Sequence, residues 1–226
     1  MKTIIFLVLF LPTLVIAQES SDEILSHRDI EHREDDLYYL MDSETPLDGL
    51  VKYKKFGNRI TEENYVNGMK DGLSTAFHKN GNKKSETIYS KNKMGLYIEW
   101  HENGQKAVEM NYIDDRAEGK STKWYDNGKK KFEANYVDGE IEGVGNWWHE
   151  NGERKSEITF VKGLKMGSYK EWHPNGQIAA ELNYVNNKVE GLCVRWHPNG
   201  QKEAELNFVG GIIDAKKYWD ENGNEL

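Results

Sequence analysis

Eight times in this chain an aromatic residue is followed four places later by a turn glycine, and successive copies lie 23 or 24 residues apart. The glycines are Gly57, Gly81, Gly104, Gly128, Gly152, Gly176, Gly200 and Gly223, and the aromatics are Tyr53, Phe77, Trp100, Trp124, Trp148, Trp172, Trp196 and Trp219. Five residues after the first seven glycines stands Glu62, Glu86, Glu109, Glu133, Glu157, Glu181 or Glu205, and eight after stands Tyr65, Tyr89, Tyr112, Tyr136, Phe160, Tyr184 or Phe208. Several positions holding one phase at a fixed period mark a repeat array, in which each unit buries its apolar surface against its neighbours. One globular core is thereby excluded.

Turn chemistry gives the unit its shape. Two copies read His173-Pro174-Asn175-Gly176 and His197-Pro198-Asn199-Gly200. Proline suits the second position of a type I turn, and the glycine supplies the left-handed residue that closes a three-residue hairpin loop. Eleven residues past the first seven glycines stands Gly68, Asn92, Asp115, Gly139, Gly163, Asn187 or Gly211, residue types that tolerate positive φ, so a second turn is expected there. No stretch between turns has the pattern of a helix. The fold class predicted is all-β: an elongated antiparallel meander of tandem hairpins, roughly 15 strands and on the order of 70 Å long, curled or superhelical as a single sheet.

A three-residue loop pairs His173 with Gln177 and Trp172 with Ile178, and simple alternation then places Ala180, Leu182 and Tyr184 on the tryptophan face. On this reading Trp100, Trp124, Trp148, Trp172, Trp196 and Trp219 form one buried aromatic ladder with Tyr112, Tyr136 and Tyr184. The opposite, polar face receives His101, His149, His173 and His197, with Glu109, Glu133, Glu157, Glu181 and Glu205 and with Asn111, Asn135 and Asn183. Those residues are the candidate partner-binding face. Each row is repeated, so no position stands out as specialised.

The pattern Trp-His-x-Asn-Gly-Gln-Lys, as at Trp100 to Lys106 and Trp196 to Lys202, followed by Glu and then by Tyr-Val-x-Gly, resembles the MORN-repeat variant found in tandem in many bacterial proteins. The resemblance runs from about Tyr38 to Leu226. It implies a scaffold for protein or lipid interaction, and proteins of this kind are often labelled toxin-antitoxin system antitoxins of the YwqK family.

Residues 1–17 read as a secretory signal peptide: Lys2, an apolar run from Ile4 to Ile16, then Val15 and Ala17 at the small-residue positions of a cleavage site. The run is short for a bilayer span, which needs about 20 residues, so no stable membrane insertion is expected after cleavage. A secreted or periplasmic location follows. Residues 18–36 read as an acidic, solvated linker, and residues 37–226 as the array, about seven full repeats with capping half-repeats, of which 37–50 is the first.

With 30 Lys and Arg against 38 Asp and Glu, the formal net charge is −8, which disfavours nucleic acid as a partner. Cys193 is the single cysteine, so no internal disulfide or thiolate cluster can form, and it reads as a small packing residue. Histidines in successive copies should stand about 10 Å apart, too far to share a zinc ion with ligands near 2 Å. Glutamates in equivalent surroundings lack the contrast that paired catalytic carboxylates need. Neither a catalytic residue nor a cofactor is expected. The reading is a non-catalytic exported scaffold whose partner is a protein or a cell-envelope polymer; neutralisation of a toxin is the alternative, and a carbohydrate-binding surface of exposed aromatics is a weaker one.

Overall fold

A computed structural model describes residues 24–55 and 59–226. The expected leader, residues 18–23 and the turn at Gly57 lie outside the described residues. Strand makes up 66% of the described residues, in one long, mostly antiparallel sheet of tandem hairpins that does not close into a barrel. From Gly49–Lys55 to Ile212–Tyr218 successive hairpin strands pair in chain order, as Arg154–Val161 does with Glu140–Trp148 and Leu164–Trp172; Met69–Lys70 with Gly72–Phe77, and Lys188–Val189 with Gly191–Trp196, each serve as one interrupted strand against a single partner.

Both expected turns are present. At the first kind, His173 N–H donates to the Gln177 carbonyl at 2.8 Å and Gly176 N–H to the His173 carbonyl at 2.9 Å, with Gly176 at φ +83°. This is the three-residue loop. At the second, Val137 pairs with Glu140 around Asp138 (φ +51°) and Gly139 (φ +87°), the two left-handed residues of a type I′ turn. A further row of glycines lies inside the second strand of the unit: Gly119, Gly143 and Gly167 take φ of +75° to +80° where the ladder to the preceding strand breaks register. These are β-bulges, which bend the strand.

Register also corrects the expected faces. Trp172 does pair with Ile178, but Glu171 pairs with Ala180, so Ala179 is an extra residue that reverses the alternation. The same one-residue shift follows the turn at Gly81, Gly104, Gly128, Gly152 and Gly200. Consequently Ala180, Leu182 and Tyr184 share a face with Glu171 and Tyr169, and Trp172 lies on the other side with Lys170, Glu181 and Asn183. The aromatic ladder is split: the tryptophans stand with the glutamates on what we call the outer face, and the tyrosines stand on the inner face.

The inner face is the core. Phe132, Ala134, Ile158, Phe160, Ala180, Cys193 and Ala204 are buried there. Trp147 fills the space between Phe132 and Phe160, its ring 4.9 and 6.3 Å from theirs. Burial raises the Cys193 thiol above its ordinary range, and the residue packs as expected.

The two edges of the sheet differ. The described part of the predicted linker is a cap, which corrects that reading: Leu25–Ser26 pairs in parallel with Gly49–Lys55, a capped 3₁₀ turn follows at His27–Asp29, and Ile30–His32 pairs with Tyr38–Leu40. Leu25, Ile30, Tyr38 and Leu40 pack on a cluster of Leu47, Val51, Tyr53 and Tyr65. Four apolar side chains are enough to seat an otherwise charged segment. At the other edge, all seven residues of Ile212–Tyr218 are exposed.

Beneath the cap lies a buried ion pair. Lys70 Nζ stands 2.8 Å from Glu63 Oε1, with side chains 15% and 4% exposed, and the Tyr65 hydroxyl donates to Glu63 Oε2 at 2.6 Å. The ammonium also lies 5.1 and 5.4 Å from the ring centres of Tyr38 and Tyr89. Burial alone would raise the Glu63 carboxyl, but Lys70 and the hydroxyls outweigh it and hold it below the usual range; burial would lower Lys70, and Glu63 holds it above.

The pair therefore adds stability between about pH 4.3 and 10.4, the ordinary values of the two groups. On the acid side this stability is lost as the pH falls through the depressed value of Glu63, and on the alkaline side as it rises through the elevated value of Lys70. Glu63→Gln should strand the buried ammonium and cost about 3 kcal/mol at neutral pH, read by urea denaturation, with a flatter acid limb than the parent. Gly68 stands at φ +79°, and a Cβ there would meet the Leu37 and Pro46 Cβ atoms at 2.9 Å. Gly68→Ala should cost about 2–4 kcal/mol, against about 1 kcal/mol for Gly143→Ala, where the Cβ would enter open space.

Candidate functional site

On the outer face a cation two residues after five of the turn glycines reaches the tryptophan of the next repeat. Lys83, Lys106, Lys130, Arg154 and Lys202 lie 5.9, 5.6, 5.5, 5.9 and 5.2 Å from the ring centres of Trp100, Trp124, Trp148, Trp172 and Trp219. The same cations are ion-paired to Glu86, Glu109, Glu133, Glu157 and Glu205. A spacing of three would put the partners of each pair on opposite faces of a regular strand; the bulge between them brings them together. Each repeat thus stacks a charge on the next, and the half-buried tryptophans carry a cation on one ring face.

The histidines do not point to a partner. His78, His101, His149, His173 and His197 donate Nε2–H to the backbone carbonyls of Trp100, Trp124, Trp172, Trp196 and Trp219 at 2.7 to 3.0 Å, one repeat ahead. A carbonyl only accepts, so the Nε2 proton is fixed. Where the row holds tyrosine, the Tyr125 hydroxyl donates to the Trp148 carbonyl at 2.7 Å. The turn asparagines run in parallel: Asn103, Asn127, Asn151, Asn175 and Asn199 donate to Asp126, Glu150, Pro174, Pro198 and Glu221 carbonyls at 2.6 to 2.9 Å.

Of the other predicted face residues, Asn111, Asn135 and Asn183 are exposed on the outer side, and Glu181 pairs with Lys170 at 3.2 Å. Five strands thus carry a continuous outer row of Glu133, Asn146, Glu157, Lys170 and Glu181. Among the described residues no group of three or more His, Cys, Asp or Glu is placed to hold a metal ion.

One repeat departs from the pattern. After Gly176 the cation position holds Ile178, so Trp196 lacks the cation that covers its counterparts, and the bulge holds Ala179 and Ala180 where Lys131 and Phe132 stand two repeats earlier. Beside these small side chains is a cavity of about 520 Å³, lined from the inner face by Lys165, Tyr169, Glu171, Leu182, Tyr184 and Arg195, with Trp172 and Trp196 of the outer face and His149, His173 and Glu203 also bordering it. The Tyr169 hydroxyl donates to Glu171 Oε2 at 3.1 Å, and its ring meets that of Tyr184 edge-on at 6.0 Å. Burial, with Glu171 adding to it, pushes the Tyr169 phenol up to about 12. Arg195 pairs with Glu203 at 3.4 Å across the alanine floor. Sequence reasoning missed Tyr169, Glu171 and Lys165; the signal was the loss of the cation in the copy after Gly176.

The MORN repeat variant model matches six consecutive segments, 70–91, 95–114, 117–138, 141–162, 167–186 and 189–209, more than half of the chain. The chain belongs to the MORN repeat variant family. The matched segments run from one hairpin to the next, so the family unit and the hydrogen-bonded unit coincide. No curated protein matches the chain in a sequence search. Repeats of this family are generally protein- or membrane-interaction modules, and no helix among the described residues is long and apolar enough to cross a membrane.

If the histidine row is a tie between repeats, His149→Ala should cost about 1 kcal/mol in thermal or urea unfolding, and His149→Gln, which keeps an N–H donor, less than half of that. Lys130→Met should weaken the same interface by a similar amount, with an effect that shrinks as salt is added.

Proposed function

We propose that this protein is a non-catalytic interaction scaffold, exported by a cleaved N-terminal signal peptide, that binds a protein or cell-envelope partner through the inner face around the cavity at Tyr169, Glu171 and Tyr184. The observation that carries this reading is the contrast between the rows and the cavity. Repeated histidines, turn asparagines and most of the row glutamates are engaged in holding one repeat to the next. Catalysis requires groups with proton-transfer freedom and contrasting environments, and these rows supply neither. The cavity, by comparison, is concave and aromatic and includes polar groups not used in stacking, as binding sites do.

Toxin neutralisation would be one form of such binding. Carbohydrate stacking on the tryptophan row is disfavoured by the cations that already lie on its rings.

The test is affinity capture from an envelope fraction with the mature protein and with an Ala180→Phe variant, which fills the cavity. Saturable binding that falls at least tenfold in Ala180→Phe, while Lys170→Ala on the outer face leaves it unchanged, is the expected outcome. Equal binding by parent and Ala180→Phe would refute the inner-face reading. Retention of the leader on protein recovered from cells would refute export by cleavage.

A further inference from the structure

Two opposite charges reach this cavity without an ion-pair partner among the described residues. Glu171 has one carboxylate oxygen occupied by the Tyr169 hydroxyl, and Oε1 has no hydrogen-bond or ion-pair partner among the described residues. Lys165 lies with Nζ 5.1 Å from the Tyr184 ring centre, and no carboxylate among the described residues pairs with it. Both stand on the strand Leu164–Trp172, six positions apart, too far along the strand to pair with each other, and both line one cavity.

The chain itself shows what completes such an arrangement. Lys70 occupies the position in its own repeat that Lys165 occupies in a later one, and its ammonium lies over Tyr89 as that of Lys165 lies over Tyr184. Beside Lys70 stands Glu63, which closes the pair at 2.8 Å; the residue in the place of Glu63 beside Lys165 is Ile158. At the later site the carboxylate that would neutralise the lysine is therefore missing from the chain, and an unused carboxylate, Glu171, stands at the other end. Arg195 does not substitute for Lys165, since it is held by Glu203.

We propose that the cavity binds a zwitterion carrying an ammonium and a carboxylate joined by an apolar chain, with the ammonium at Glu171, the carboxylate at Lys165 and the chain against Tyr169, Leu182 and Tyr184. An ω-amino acid has this chemistry, and so does a lysine at the C-terminus of a polypeptide. Aromatic walls favour both the alkyl chain and the cationic end, and desolvation sharpens the charge selection. The proposal rests on the inner face being the binding face.

The test is calorimetric titration of the mature protein with ε-aminocaproate, hexanoate and hexylammonium. The zwitterion should bind saturably, and each singly charged probe at least tenfold more weakly. Glu171→Gln should erase the advantage of the zwitterion over hexanoate, and Lys165→Met its advantage over hexylammonium. Arg195→Met should change neither. Glu171→Gln is isosteric, and an unaltered far-ultraviolet spectrum and unfolding midpoint in each variant would show that the fold is intact.

Competition by a peptide ending in lysine, and not by its C-terminal amide, would identify a polypeptide end as the source; competition by the free ω-amino acid alone would identify a small molecule. Equal binding of the three probes, no saturable binding, or loss of carboxylate preference in Arg195→Met in place of Lys165→Met would overturn the assignment. Envelope-partner binding that survives Glu171→Gln and Lys165→Met but not Ala180→Phe would overturn it while leaving the scaffold function standing.

Discussion

One interaction recurs at each step from the turn at Gly81 to Trp219: a histidine or tyrosine beside the turn reaches across a full repeat to donate to the carbonyl of the next tryptophan. A hairpin sheet already has its ladder hydrogen bonds, but these hold strands and leave the turns free to splay. The turn-to-turn bond removes that freedom. It also sets the register between repeats, since the donor finds its acceptor only when successive turns stand in line. The cation on each tryptophan acts in the same direction, from one unit to the next. Interactions are thus nearest-neighbour ones, and stability accumulates along one dimension.

A ladder built this way limits where function can reside. Residues that repeat are those the stacking requires, and changing one weakens an interface. Freedom to specialise exists where a repeat gives up a stacking contact. The copy after Gly176 does so with Ile178 in place of a cation, and the cavity opens beside it, next to Ala179 and Ala180. The loss is tolerated because Trp172 and Trp196 still accept from His149 and His173.

The period, the place of both turns and the absence of α-helix among the described residues were legible in the sequence, because each rests on local chemistry: Pro174 and Asn175 before Gly176, or Asp138 before Gly139. Sidedness was not, because parity depends on a single unpaired residue such as Ala179, which leaves the repeat length unchanged. A clue was present in the charges. Arg154 and Glu157 at a spacing of three recur as a pair through the array, and a strand without a bulge would separate them. The adjacent Trp147 and Trp148 were a second clue, since neighbours in a strand face opposite ways and one of the two had to be core. The cap escaped notice because Leu25 and Ile30 are few among acidic residues, and what seats them is Tyr38, Leu40 and the cluster beneath. The cavity charges were hidden by phase: Glu171 and Lys165 fall outside the rows that define the repeat.

The alignment of the turn-to-turn bonds has a mechanical consequence. They lie along the ribbon's long axis, as the ladder bonds between strands do, so tension applied to the two ends loads the bonds of one interface in series with those of the next. The weakest interface opens first and the others stay shut. Each opened hairpin releases the contour length of one repeat and relieves the load on the remainder. Under pull such a ribbon behaves as a chain of sequential fuses, lengthening in steps of one repeat while the folded part keeps its shape.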